Sequence, residues 1–209
     1  MNPIADVAKL RAAVAHRGRW LQYVTIAWNS LECVAALIAG FLVGSIALVG
    51  FGFDSAIEVT SSLAALSRLR SDADEARREA AERHTLRIIG SCFVLLAAYI
   101  AYDAIRTLLE RRAPEQSTLG IVIAALSLIV MPLLVHFKRR IASSLGSGAL
   151  EAEARQTRIC AYLSGILLAG LGLNAWFGWW WADPVAGLLM VPLIAWEGAE
   201  AVRGRTCCD

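Results

Sequence analysis

The chain has 209 residues, of which 57% are apolar and 18% charged, against about 25% charged in ordinary soluble domains, and its mean hydropathy is +0.56. A chain this short and this apolar lacks the polar surface to cover a water-facing core, which argues against a soluble enzyme and equally against disorder. The formal net charge of +2 gives no basic surface for nucleic acid, and the five cysteines (three in apolar segments, two at the extreme C-terminus) form no secreted disulfide framework.

Residues 1–19 read as a polar, amphipathic cytoplasmic segment, a surface helix or a tail. They lack the apolar core and small-residue cleavage site of a signal peptide. Six apolar runs follow, each near the ~20 residues that cross a bilayer. The first, Trp20 to about Val43, carries Asn29 and Glu32 one turn apart near mid-span. They are candidates for a cavity lining or a proton relay, and the competing reading is a hydrogen bond that locks helices one and two together.

Gly44 and Ser45 then mark a short turn, and the second run, about Ala47 to Leu66, contains FGFDSAIEVTSS. Asp54 and Glu58 are four apart and so share one helical face. Two such carboxylates repel when both are ionised. A divalent cation between them, or protonation of one, removes the conflict, so one pair can trade metal for protons. The bland alternative, an acidic pair satisfied by Ser or Thr of a neighbouring helix, is the weaker reading for two carboxylates at this spacing in lipid.

The Ala-, Glu- and Arg-rich segment 69–87 joins this run to the third, Leu86 to Leu108. Asp72, Asp74, Glu75, Glu79, Glu82 and His84 read there as a solvated charged loop rather than a cation site. Asp103 is expected to pair with Arg106 at i+3. The fourth run is Leu119 to Phe137, and the stretch IASSLGSG is a flexible link. The fifth begins after Gly148 and ends near Trp176. It opens EAEARQTRICAYLSG, with Gln156 and Cys160 on one face as an oxygen and a sulfur ligand of the kind that suits borderline or soft divalent ions. By themselves a helical Cys and a helix-end Gln are ordinary packing and solvated groups.

In the sixth run, Ala182 to about Val202, Asp183 reads as a helix N-cap, and Glu197 and Glu200 as headgroup-level carboxylates, with Glu197 a candidate for an inner vestibule. Residues 203–209, RGRTCCD, read as a short cytoplasmic tail, with no soluble domain expected after the sixth run. Its Cys207 and Cys208 are candidates for a soft metal or a lipid, or have no role.

Basic residues set the orientation. Placing the N-terminus inside leaves seventeen of the 20 Lys and Arg on the inner side and only Arg106, Arg111 and Arg112 outside. Trp176, Trp179, Trp180 and Trp181 then form an outer aromatic belt. The expectation is an all-α membrane protein: a six-transmembrane-helix bundle over residues 20–202, with both termini cytoplasmic, in the plasma (inner) membrane. Phosphate-binding loop, zinc-protease and nucleophile-elbow motifs are absent, and no nucleophile–base set is evident, so the chain is not expected to be an enzyme.

NSLECVAALIAGFLVGSIALVGFGFDSAIEVTSSL, ALEAEARQTRICAYLSGILLAGL and GWWWADPVAGLLM resemble the first two helices, the fifth helix and the turn into the sixth of the cation diffusion facilitator family. The resemblance runs from Trp20 to Val202 and implies a proton-coupled exporter of zinc or another divalent metal, carried as substrate rather than cofactor, in a homodimer. It carries Asp54, Glu58, Gln156 and Cys160 into one site. Gln156 and Cys160 stand where the family has a His-x-x-x-Asp pair. By hydropathy Asp54 lies nearer the outer side and Gln156 nearer the inner, so they meet only if helix five starts near Ala149, with Glu151, Glu153 and Arg155 snorkelling to the cytoplasm. A non-transporting metal sensor or partner subunit, and a carrier of a monovalent or softer cation, are the competing functions.

Overall fold

The computed structural model describes the backbone of residues 3–70, 75–112, 114–145 and 148–203; within these, the side chains of 3–13, 15, 67–70, 75–86, 88–89, 148–149, 152 and 201 are left undescribed. The acidic loop side chains with His84, and Cys207 with Cys208, lie outside the described residues. Six helices follow in order: α1 Pro3–Val43, α2 Ile46–Arg70, α3 Glu75–Glu110, α4 Thr118–Leu145, α5 Gly148–Phe177 and α6 Ala182–Val202. The N-terminal segment is no separate element, because α1 runs without a break into the first span. Among the described residues five helices are long and apolar enough to cross a membrane. The sixth, α6, is 21 residues long and carries Asp183, Glu197 and Glu200.

The helix ends follow from local chemistry. Gly44 has φ 70°, and Ser45 N donates to Gly40 O at 3.0 Å, the bond that closes a helix on a left-handed residue. Arg111, at φ 53°, plays the same part for α3, with Arg112 N on Thr107 O at 3.1 Å. The hydroxyls of Ser45 and Ser117 accept from Leu48 N at 3.1 Å and Gly120 N at 3.0 Å, capping α2 and α4.

Asp183 is a correction to the expected N-cap. It sits inside the first turn of α6, and its carboxylate accepts from the Ser45 hydroxyl and from the backbone of Ile46 and Ala47. It therefore caps α2, a different helix. Arg106 likewise pairs with Glu110 at 2.7 Å and not with Asp103.

The bundle reverses the polarity of a soluble protein. Large apolar side chains such as Leu31, Ile38, Phe41, Leu95, Tyr99, Ile129 and Leu133 point outward, as lipid contact requires. Buried among the helices are Gln22, Asn29, Glu32, Asp54, Glu58, Ser127, Lys138, Glu153 and Thr157. Helix α2 is the centre, packed on α1, α3, α5 and α6.

Small residues bring the backbones together. A Cβ on Gly170 of α5 would stand 2.6 Å from the Cβ of Ala186 on α6, and one on Gly198 of α6 would stand 3.0 Å from the carbonyl of Gly90 on α3.

Gly170→Ala is therefore expected to force α5 and α6 apart and cost about 1–3 kcal/mol, more than the ~1 kcal/mol that alanine gains in helix propensity. Gly165→Ala meets only Leu128 Cδ1 at 3.7 Å and is expected to be tolerated. Thermal unfolding in detergent micelles should show a lower Tm for the first variant alone.

Candidate metal centre

Four helices turn polar stripes inward at helical spacing. α1 contributes Gln22, Thr25, Asn29 and Glu32; α2 Asp54, Ser55, Glu58 and Ser62; α4 Ser127 and Lys138; and α5 Glu153, Thr157, Cys160 and Ser164. The α1 and α5 stripes repeat at three- and four-residue steps, as do Asp54, Glu58 and Ser62 of α2 with Ser55 beside them, and Ser127 and Lys138 lie three turns apart on one face of α4. Antiparallel packing aligns them. Ser62 meets Glu153, and Glu58 meets Thr157 and Cys160, so residue numbers on α2 fall as those on α5 rise.

Two polar layers result. Nearer the short α1–α2 and α5–α6 turns, Glu32 accepts from Ser55 of α2 at 2.9 Å and from Ser127 of α4. This is the interhelical bond weighed from the sequence, and it extends to a third helix. One turn away along α1, Asn29 donates to Thr25 O at 3.0 Å while its Oδ1 is buried without a partner.

The second layer is ionic. Lys138 Nζ lies 2.9 Å from Glu58 Oε1, 2.9 Å from Glu153 Oε1 and 2.8 Å from Thr157 Oγ1, and Lys138 is only 2% exposed. Gln22 Nε2 donates to Glu153 Oε2 at 2.6 Å and Ser62 to Glu153 Oε1 at 2.9 Å. The Thr157 hydroxyl donates to Glu58 Oε1. Four helices are thereby tied at one level, and the three N–H donors of the ammonium each have an acceptor.

Asp54 and Cys160 complete the face. The Cys160 thiol donates to Glu58 Oε2 at 3.1 Å, and the carboxyls of Asp54 and of Glu197 on α6 lie close enough to act on it electrostatically. Asp54 is fully buried, and neither carboxylate oxygen has a partner in full hydrogen-bond geometry; its polar neighbour is the Cys160 thiol, which donates to Glu58, and one oxygen of Glu197 is likewise unpartnered. Orphaned acceptors in a buried pocket call for an explanation, and a missing donor or cation is the one their chemistry suits.

Of the four residues carried into the site, Glu58 and Cys160 are in hydrogen-bond contact, and Asp54 lies one turn from Glu58 on the same face of α2. Gln156 is half-buried at the edge of the α5 face, outside the hydrogen-bonded network. Helix α5 starts at Gly148, as a meeting of Asp54 and Gln156 requires, yet Gln156 stays at the edge of the face. Glu151 and Arg155 are exposed, whereas Glu153 turns inward and is buried rather than snorkelling.

Lys138, Glu153, Thr157, Gln22 and Ser62 escaped the sequence reading. Lys138 falls just past the fourth apolar run, which ends at Phe137, yet it lies in α4 two turns before Leu145. The signal for it was its place on the same face as Ser127, Met131 and Leu134. Among the described residues, no three His, Cys, Asp or Glu side chains stand close enough to enclose a metal ion in this conformation. Both oxygens of Glu58 are already engaged, by Lys138 and by Cys160.

The model of the cation efflux transmembrane domain matches residues 23–203. The chain is 32% identical to the cation-efflux pump FieF of Shewanella oneidensis over 114 residues, 54% of this chain and 36% of that protein. It is 28% identical to the cadmium, cobalt and zinc/H(+)-K(+) antiporter of Bacillus subtilis over 181 residues, 79% and 55% of the two chains. An uncharacterized transporter of Methanocaldococcus jannaschii is 26% identical over 180 residues, 82% and 62%. The chain thus spans about a third to three fifths of the length of these relatives.

Glu153→Ala takes one acceptor from Lys138, which keeps Glu58, and leaves the buried donors of Gln22 and Ser62 unpaired. It is expected to destabilise the bundle by about 1–3 kcal/mol for the stranded donors, and Glu153→Gln by less, because the amide oxygen still accepts from Lys138. Unfolding of the purified protein by dodecyl sulfate titration in mixed micelles measures both.

Proposed function

The chain belongs to the cation efflux transmembrane domain family, and on that premise we propose that it exports a zinc-like divalent transition-metal cation in exchange for protons. The observation that carries this reading is Asp54: a fully buried carboxylate with both oxygens unpartnered, one turn from Glu58 and facing the thiol of Cys160. Carboxylate oxygens with one sulfur suit zinc and its neighbours better than magnesium or calcium, which take oxygen alone. The name of the Bacillus subtilis relative, an antiporter of cadmium, cobalt and zinc, agrees with that donor set.

In the proposed cycle the cation enters from the cytoplasmic side and binds Asp54, Glu58 and Cys160, with Gln156 as a further candidate ligand from the edge of α5. The thiol gives up its proton as the metal takes the sulfur. Metal and protons compete for the same groups, and this competition couples their movements in opposite directions. Access alternates by rocking of the helices about a site near mid-membrane. Asn29 and Glu32, stacked on α1 beside that site, are the proposed cavity lining and proton relay. The inward excess of basic residues supports cytoplasmic termini. The proposed setting is the plasma (inner) membrane and the proposed assembly a homodimer.

A second reading, a non-transporting sensor or partner subunit, draws on one observation: Lys138 already holds Glu58. Stoichiometric metal binding without flux would select it.

Liposomes containing the purified chain, with zinc on one side and an imposed pH gradient, provide the test. Wild type is expected to move zinc against the proton flow. Asp54→Ala should lose more than the ~10–100-fold typical of an outer-shell change around a metal. Equal flux in the two proteins rejects the mechanism. Cys160→Ser is expected to retain flux while shifting preference from cadmium toward harder ions, read by competition among zinc, cobalt and cadmium.

A further inference from the structure

We propose that Lys138 is a tethered counter-cation that competes with the transported cation for Glu58, and that Glu153 is the carboxylate to which it withdraws when the cation binds. This rests on the reading of Asp54, Glu58 and Cys160 as the cation site.

The geometry separates two roles for the carboxylates that Lys138 bridges. Glu58 belongs to the α2 face that also carries Asp54, and its Oε2 receives the Cys160 thiol at 3.1 Å. Its Oε1 is drawn toward α4 and α5 by Lys138 at 2.9 Å and by Thr157. Glu153 stands one turn further along α5, away from Asp54, and has its own anchors. Gln22 of α1 holds one oxygen at 2.6 Å, and Ser62 of α2 holds the other at 2.9 Å. If Lys138 releases Glu58, it keeps Glu153 and Thr157, so no buried charge is stranded. The released Glu58 is then free to turn toward Asp54.

The same geometry accounts for the state of the site. In this conformation Glu58 is committed to the ammonium, the oxygens of Asp54 have no partner in full hydrogen-bond geometry, and among the described residues no three ligating side chains converge. A purely structural cross-link would leave the Asp54 pocket indifferent to Lys138. Here the cross-link uses the one carboxylate that a cation at Asp54 also needs. Lysine fits the part: a compact charge on a flexible four-carbon stem, able to move between two acceptors from a fixed backbone position.

Zinc binding to the purified full chain in phosphatidylcholine nanodiscs, measured by calorimetry at fixed pH, tests the proposal. Lys138→Met is expected to bind zinc at least about tenfold more tightly than wild type, because removing a close charge partner frees Glu58. Lys138→Arg keeps the charge and is expected to bind more weakly than Lys138→Met. The double variant Lys138→Met with Glu153→Gln removes one charge of each sign, which keeps a folded sample available if the single variant misfolds. It too should bind more tightly than wild type, whereas it would bind more weakly if Glu153 were itself a ligand.

Unchanged or weaker zinc binding in the folded Lys138→Met or double variant, with Asp54→Asn still abolishing binding, overturns the proposal and leaves the site reading standing. No zinc binding by wild type, or equal binding by Asp54→Asn, overturns the site reading and the role of Lys138 with it.

Discussion

The structure is organised around a charge that hydrocarbon does not tolerate alone. The idealised cost of moving an ammonium or carboxylate from water into a low-dielectric interior is of order 20 kcal/mol, and the effective cost remains several kcal/mol per ion. Lys138, Glu58 and Glu153 meet that cost together, each satisfying another, with Thr157, Gln22 and Ser62 filling the remaining positions. Because these groups come from α1, α2, α4 and α5, the requirement that no charge be left unpaired also fixes the relative height of four helices. Lipid adds no hydrophobic force between helices, so polar matching of this kind carries a share of specificity that apolar burial carries in a soluble protein.

The remaining helix pair is held differently. Helices α3 and α6 meet where Gly198 lets the backbone of α3 approach and where Phe93, Ala97, Ile100, Ala186, Met190 and Ile194 form part of the main apolar core. Their polar link to the rest is at the short-turn end, where Asp183 caps α2 through Ser45 and two backbone amides. The bundle thus combines a specific ionic level, a hydrogen-bonded cap at one end, and smooth small-residue contacts between. Asp54 lies at the level of the Glu32 layer, one residue before Ser55 and one turn from Glu58, and no donor of either layer reaches it.

How far the sequence speaks follows from these forces. The six helices, five of them apolar enough to span a membrane among the described residues, are legible because hydropathy over some twenty residues is an average that no single contact changes. The Gly44–Ser45 turn and the starts of α2 and α5 are legible because left-handed caps and apolar onsets are local. Asp54 and Glu58 stand out since a carboxylate pair inside an apolar run has few structural uses. Lys138 and Glu153 do not, because each borders a run of exposed charges, Arg139 and Arg140 in one case and Glu151 and Arg155 in the other. Average hydropathy assigns such borders to the interface. Only the three-four spacing back to Ser127 and forward to Thr157 and Cys160 places them on the inner face. Asp103 and Arg106 failed for a related reason: helical spacing permits i+3 and i+4 partners alike, and Glu110 took the arginine.

The donor set also bears on how a site can work with Gln156 and Cys160 where a histidine and an aspartate are the family expectation. A neutral imidazole would bind metal without adding charge, leaving an aspartate to supply it. Here the fifth helix presents a thiol to the acidic pair, and Gln156 stays at the edge of its face. Thiolate is a stronger and softer donor than carboxylate, so the balance moves toward softer ions. It would also hold them longer, which a carrier must counter if it is to release them. A fixed positive charge beside the pair is one physical counterweight: it lowers the attraction of Glu58 for any incoming cation without removing the carboxylate. Lys138 stands where that effect is largest, 2.9 Å from Glu58, and on a helix that contributes no ligand to the proposed site. Strong sulfur binding and a resident ammonium are thus opposed terms on one carboxylate, and their balance sets whether a bound ion leaves.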